Sequence, residues 1–397
     1  MSLFSAVEMA PADPILGLTE KFKADTDAKK ANLGVGAYQN AAGQTAPLLA
    51  CVAEAEKRIA ADPQAKPYLP IDGMAAYNRY VKELVLGAGS PVIERTATVQ
   101  ALGGTGALRV GAEFLKSIVP GATVLISDPS WENHRALFTA AGYRVESYRY
   151  YDAATRGIDA AGMLEDLAAA APDTIVVLHA CCHNPTGYDL DADQWGKVIA
   201  VVKERGLVPY LDMAYQGFSQ GLEEDAQVVR RFADAGLQFA CSTSFSKSFS
   251  LYGERDGALS VVCGDADEAK RVLSQLKPVV RTLYSNPPTH GAKIVATVLG
   301  DPQLRAQWEA ELGEMRDRIK EMRAALVAGL KAAGVSDDVS FITDQVGMFS
   351  YSGLTKDQMV RLREEFHVYG TDKGRICVAA LNPGNIEHVA QSIAQVW

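Results

Sequence analysis

From about residue 95 to residue 300, short β-branched, apolar runs alternate with amphipathic stretches, the order in which a chain builds a mostly parallel sheet covered by helices on both faces. The clearest strands are TATVQAL (96–102), TVLISD (123–128), TIVVLHA (174–180), LVPYLD (207–212), LQFACS (237–242) and ALSVVC (258–263). Helical periodicity lies between them, as in LRVGAEFLKSIV and DQWGKVIAVVKERG. A long helix follows over 301–334. Asp301 caps it, Pro302 takes its first position, and Leu304, Trp308, Leu312, Met315, Ile319, Met322, Leu326 and Leu330 recur at spacings of three and four as one apolar stripe. Gly334 supplies the stop.

Beyond Gly334 the texture changes to two helical segments around short strands (VSFITDQ, MFSYSG, TKDQMVRLREEFHV, RICVAAL), a small α+β unit that the strand-like KKANLGVGAY near the N-terminus can join. The expected organisation is an N-terminal arm (1–11), a large domain (46–314) and a small domain (12–45 with 315–397), joined by the long helix 301–334.

A chain of 397 residues, 48% hydrophobic and 22% charged, has the material for two domains around a substantial core. Its net charge of −9, with no basic block, argues against nucleic acid as a partner. Six cysteines without a C-x-x-C pair fit a reducing compartment rather than a disulfide framework. The opening MSLFSAVEMAPADPILGL has no basic segment leading into a sustained apolar one, and no later run has the length of a membrane span. A soluble, cytoplasmic protein is expected.

In an open α/β sheet, ligands bind outside the carboxyl ends of the strands. The unusual residues fall there, strand after strand: GGTGALR, PSWENH, CCHNPTG, MAYQGF and TSFSK each follow a predicted strand, so five loops converge on one crevice. Gly103-Gly104-Thr105-Gly106 opens a helix whose N–H groups and dipole suit a phosphate, or simply reverses the chain. Ser244, Ser246 and Arg255 offer two hydroxyls and a guanidinium fork to the same anion. Lys247 lies beside them, where neighbouring cations and desolvation lower its pKa toward the range in which an amine forms a Schiff base. Asp212 ends a buried strand and needs a cationic partner, for which a protonated ring nitrogen serves. Asn184 and Tyr215 can hydrogen-bond a phenolate-type oxygen, and Trp131 offers a flat face to a ring. His179, Cys181, Cys182 and His183 are metal-ligand types, but strand alternation sends neighbours to opposite faces and no second ligand pair stands at zinc spacing. No metal is expected.

Together with APADPILGL, NLGVGAY, SFSKSFSLYGER, YSNPPTHGA, GMFSYSGL and RLREEF, these stretches resemble the class I (aspartate and aromatic amino-acid) aminotransferases, pyridoxal 5′-phosphate enzymes of fold type I, over essentially the whole chain. The resemblance implies a large domain with a mostly parallel seven-stranded sheet between helices, and a small α+β domain. It implies Lys247 as the Schiff-base lysine, Asp212 as the partner of the pyridine nitrogen, His134 as the support of Asp212, Tyr215 and Asn184 on the ring oxygen, and Trp131 stacked on the ring. Gly104, Thr105, Ser244, Ser246 and Arg255 would cradle the phosphate, with Tyr68 reaching in from the neighbouring subunit of a homodimer. Arg375 would clamp the substrate's α-carboxylate and the partner's Arg281 its side-chain carboxylate, while Gly36, Asn286 and Phe349 line the site. Asp256 departs from the pattern, because the family has an apolar residue there; it is expected to point away from the phosphate.

The implied activity is transfer of the amino group of aspartate or of an aromatic amino acid, tyrosine or phenylalanine, to 2-oxoglutarate. The donor stays open: Asn286 leans toward aspartate, while Ala37, Gln39 and Pro67 decide nothing. The alternatives are another fold type I reaction, decarboxylation or elimination, and a non-catalytic binder of phosphate ligands, which would have no use for Lys247 and Asp212.

Overall fold

The computed structural model describes residues 2–10 and 16–397. Part of the APADPILGL stretch, residues 11–15, lies outside the described residues, as does Met1.

Seven strands form the central sheet: β1 (Thr96–Leu102), β2 (Thr123–Asp128), β3 (Arg144–Arg149), β4 (Ile175–His179), β5 (Val208–Met213), β6 (Phe239–Ser244) and β7 (Asp256–Val262). Their order is β1-β7-β6-β5-β4-β2-β3. The pairs β2–β3, β2–β4, β4–β5 and β5–β6 are parallel, whereas β7 runs antiparallel to β1 and β6. The carboxyl ends of β1 to β6 therefore share one edge, and β7 begins at that edge. This reversal puts Arg255, the residue before β7, level with the loops that leave the other strands.

The sheet separates two hydrophobic clusters. On one face Val99, Val124, Ile126, Val177, Tyr210 and Leu259 pack beneath α2 (Gly103–Ile118). On the other, Leu178, Leu211, Cys241, Ala258 and Val262 meet α1 (Ala75–Leu86) and α3 (His290–Gly300). Such two-sided burial explains why the central strands read as nearly continuous apolar runs. The edge strand β3, RVESYR, is mostly exposed and polar, so its sequence lacks that signature.

The long helix α4 runs over Pro302–Ala332. The Asp301 carboxylate accepts the N–H groups of Gln303 and Leu304 at 2.8 and 3.0 Å, and Gly334 stands beyond its end with φ of 94°. The buried stripe follows the expected positions except at one turn, where Arg323 is buried and Met322 only partly so. Arg323 follows Ile319 by four residues and precedes Leu326 by three, so helical geometry turns it inward. Its guanidinium donates to the carbonyls of Ile342, Gly347 and Phe349, which ties α4 to the segment carrying Phe349.

Around the second half of α4, the N-terminal residues 31–32 pair in parallel with 368–369, and Phe349–Tyr351 pairs antiparallel with Arg375–Cys377. The last helix, Ile386–Val396, packs on α4. No helix among the described residues is long and apolar enough to cross a membrane.

Candidate active site

At the shared edge of the sheet, β4, β5 and β6 place His179, Asp212 and Ser242 side by side in register. Asp212 is buried; its Oδ1 accepts the Ser242 hydroxyl at 2.7 Å and its Oδ2 lies 2.9 Å from Nε2 of His134. With Nε2–H donating to Asp212, Nδ1 of His134 is free to accept from Ser130 Oγ, 2.9 Å away. Burial opposes the charge on Asp212, but the hydrogen bond and charge of His134, the His179 ring and Ser242 outweigh it and hold the carboxyl below its usual range. A carboxylate that lines the cavity is thus kept ionised.

Lys247 stands in the turn after β6, a turn held by Phe249 N–H on Phe245 C=O and Ser250 N–H on Lys247 C=O. Among the described residues its amine has no hydrogen-bond partner, and it sits 4.8 Å from the centre of the Tyr215 ring. Desolvation lowers its pKa to about 8; Asp212 works against this, and Arg255 and Arg375 add to it. Tyr215, buried, is raised far above a phenol's ordinary value, chiefly by desolvation.

These groups line one cavity of about 250 Å³, together with Gly36, Gly104, Thr105, Trp131, Asn184, Ser244, Ser246 and Arg255. At one end, the N-terminal turn of α2 meets the loop after β6. A Cβ on Gly104 would already touch Ser244 Cβ at 3.4 Å, and Ser244 Oγ donates to Ser246 Oγ at 3.2 Å. The Arg255 guanidinium abuts Gly103 and donates to the Tyr252 carbonyl at 3.0 Å. Helix N–H groups, two hydroxyls and an arginine thus converge, a donor set that fits a phosphate.

Behind the lining residues Asn184 and Gly36 stand Arg375 and Phe349, distant in sequence and not themselves part of the lining. Arg375, 2% exposed, donates to Asn184 Oδ1 at 3.0 Å and to the Gly34 carbonyl at 2.8 Å, and its buried Nε has no partner. Among the described residues no carboxylate pairs with this cation. The Phe349 ring lies 4.3 Å from the Arg375 guanidinium and against Gly36, where a Cβ would come within 2.7 Å of Cζ. Gly36 is therefore required by close packing. Ala37 is buried beside it, and Gln39 accepts a hydrogen bond from Asn382 at 3.0 Å.

Tyr68, Arg281 and Asn286 do not line this cavity. Tyr68 is 91% exposed, next to the exposed Pro67. Asn286 donates to the Leu69 carbonyl at 3.1 Å, and the exposed Arg281 bonds to Ser285 Oγ, so the three residues gather on one outer patch.

Around the cysteines, the argument from strand alternation does not hold. β4 ends at His179 and Cys182 adopts φ of 52°, which brings the thiols of Cys181 and Cys182 and a carboxylate oxygen of Asp225 within 4.8 Å of one another. Asp225 is already engaged by the N–H groups of Gly217, Ser219 and Gln220, and Cys182 Sγ by the Tyr215 carbonyl. His183 is equally committed, to Ser127, Thr186 and a stacked Tyr150. His134, His179 and Asp212 form a second such group, of which His179 and Asp212 line the cavity.

Asp256 does not line the cavity, and it is fully buried with both carboxylate oxygens unbonded. Four further lining residues, Leu108, His179, Ala214 and Tyr252, were not among the site residues named from sequence. Tyr252 was within reach, inside SFSLYGER; its hydroxyl accepts the Tyr38 N–H at 3.0 Å.

The family model "Aminotransferase class I and II" matches residues 28–393. The chain belongs to this family. The aminotransferase is 60% identical to "Aspartate aminotransferase" of Pseudomonas aeruginosa over all of both chains. It is 50% identical to "Aromatic-amino-acid aminotransferase" of Escherichia coli, over 99% of this chain and all of the other. Among solved structures, the aromatic-amino-acid aminotransferase of Burkholderia pseudomallei, covalently bound to pyridoxal phosphate, matches with TM-score 0.97 and 61% identity over all of both chains. The cofactor of this aminotransferase is pyridoxal phosphate. The cavity suits that group: an amine of lowered pKa, an ionised carboxylate and a phosphate-type donor set stand around one space.

Proposed function

We propose that the chain transfers the amino group of aspartate or of aromatic L-amino acids, tyrosine and phenylalanine, to 2-oxoglutarate, with Lys247, Asp212, Tyr215 and Trp131 as its catalytic residues. The observation that carries this reading is one cavity lined by Lys247 and the buried Asp212, with the buried Arg375 bonded directly behind its lining residue Asn184. The names of its relatives supply both donor classes.

When bound, pyridoxal phosphate supplies a ring that accepts the electron pair released as the substrate's Cα–H bond breaks. Asp212 keeps a proton on the ring nitrogen and is itself oriented by His134 and Ser242. Lys247 would hold the cofactor covalently and, once the substrate's amine has replaced its own there, its freed amine would take the Cα proton and give it back; an amine whose pKa lies near 8 is suited to both directions. Tyr215 and Asn184 hold the ring oxygen, and Trp131 covers the ring and keeps water away. Gly104, Thr105, Ser244, Ser246 and Arg255 hold the phosphate. Arg375 takes the α-carboxylate in a bidentate pair, against Gly36 and Phe349.

In the same proposal, Tyr68 and Arg281 serve the cavity of a second copy in a homodimer, Tyr68 at the phosphate and Arg281 at the substrate's side-chain carboxylate, with Asn286 beside them. Their exposure and their shared outer patch support it. The large unit (46–314) would carry Lys247 and the small unit (12–45 with 315–397) Arg375, so that substrate draws the two together.

Lys247→Ala is expected to abolish the visible absorption of the lysine-bound cofactor and to lower kcat by at least about 10⁴-fold. A variant retaining both would defeat the assignment. Comparing kcat/KM for aspartate, tyrosine and phenylalanine with 2-oxoglutarate fixes the donor.

A further inference from the structure

Asp256 opens β7 directly behind the phosphate-type donor set. Its carbonyl accepts the Phe245 N–H at 3.0 Å, and the preceding carbonyl, of Arg255, accepts the Gly103 N–H at 2.8 Å. In the sheet it stands opposite Leu102, and Gly257 stands opposite Ser244. Asp256 is therefore clasped between the start of α2 and the turn that carries Ser246 and Lys247.

The side chain occupies a place made for an apolar one. It is 0% exposed, neither oxygen has a hydrogen-bond partner, and it presses on Gly291 in the first turn of α3, where a Cβ would overlap Oδ2. From α3 comes the main chain at Gly291; His290 in that turn reaches out to Glu56, 3.7 Å away. From α1 comes Tyr77, whose hydroxyl donates to the Gly257 carbonyl. From β1 comes Leu102. Its nearest charges are its own neighbours, Arg255, which favours ionisation, and Glu254, which opposes it; burial outweighs both and raises the carboxyl to about 7.

We propose that Asp256 is a positioning residue that links cofactor retention to proton concentration: when neutral it leaves Arg255 and the α2 N-terminus to the phosphate, and when ionised it competes for Arg255 and repels the phosphate. This rests on the reading of Arg255 as a phosphate ligand. By linkage, a bound phosphate in turn raises the proton affinity of Asp256.

The test compares release of pyridoxal phosphate from the holoenzymes of the wild type, Asp256→Asn and Asp256→Val between about pH 5.5 and about pH 9, a range spanning the carboxyl's titration. Titration of Lys247 and of the phosphate is common to all three, so the ratio of dissociation constants isolates Asp256. The expected result is a ratio near constant below about pH 6, then a loss of about tenfold in wild-type affinity relative to both variants as the pH rises, the size of a charge interaction at intermediate dielectric. Protection of the apoenzyme by inorganic phosphate, read as a shift in unfolding midpoint, repeats the comparison without using Lys247. Parallel profiles in both measurements, whatever their offset, overturn the proposal. A pH-dependent difference in phosphate protection with no lysine-linked absorption would leave it standing and defeat the Lys247 assignment instead.

Discussion

At the scale of single residues, the site is a set of groups kept in states that water would not choose. Lys247 is held near pKa 8, below its free value, so between about pH 8 and about pH 10.4 the unfolded chain carries a proton that the folded chain has lost. The cost to folding is complete below pH 8 and fades as the pH rises through that window. Lys247→Met is therefore expected to stabilise the apoenzyme at pH 7 by at most about 3 kcal/mol and to lose this advantage by about pH 10.4. Urea unfolding at both pH values checks it; an equal advantage at both would contradict the cause. Lys247, Asp212, Arg255 and the Gly104 turn were legible because their residue types stand out at strand ends. Ser242 was not, since a serine in a strand carries no such signal; only the register of β5 on β6 brings it to Asp212.

Among the elements, the strands with buried faces were readable to within two residues, and β1 and β2 coincide with their predicted spans. β3 was invisible because pairing on one side alone makes no demand for apolar residues. The long helix was legible from its cap, its stripe and its stop, but Arg323 broke the rule that charge faces outward. Burial lowers its pKa to about 10, and its bonds to three carbonyls show why the charge is tolerated. Arg323→Met fits the stripe yet strands those carbonyls, so a loss of about 3 kcal/mol or more is expected in denaturant unfolding. A variant as stable as the wild type would mean that water or backbone shifts satisfy them.

For the whole molecule, the proposed dimer makes a prediction that no single chain can. Lys247→Ala and Arg281→Ala should each be nearly inactive toward dicarboxylates, and unfolding and refolding them together should restore about a quarter of wild-type activity, because random pairing makes half the dimers hybrid and each hybrid holds one intact site. If mixing restores nothing, Arg281 does not act across an interface. That division of labour was inferred from resemblance, as composition and periodicity carry no trace of it.

The pairing of residues 31–32 with 368–369 also sets an order of events during synthesis. The Gly34 carbonyl that steadies Arg375 is made 341 residues earlier than its partner. A nascent chain can build the sheet and the phosphate end of the cavity while its first strand, and Gly36 with it, waits without a place. The carboxylate clamp comes into being only with the last segment translated, so a chain cut short before Val368 could own a cofactor socket and still have nothing with which to hold an amino acid.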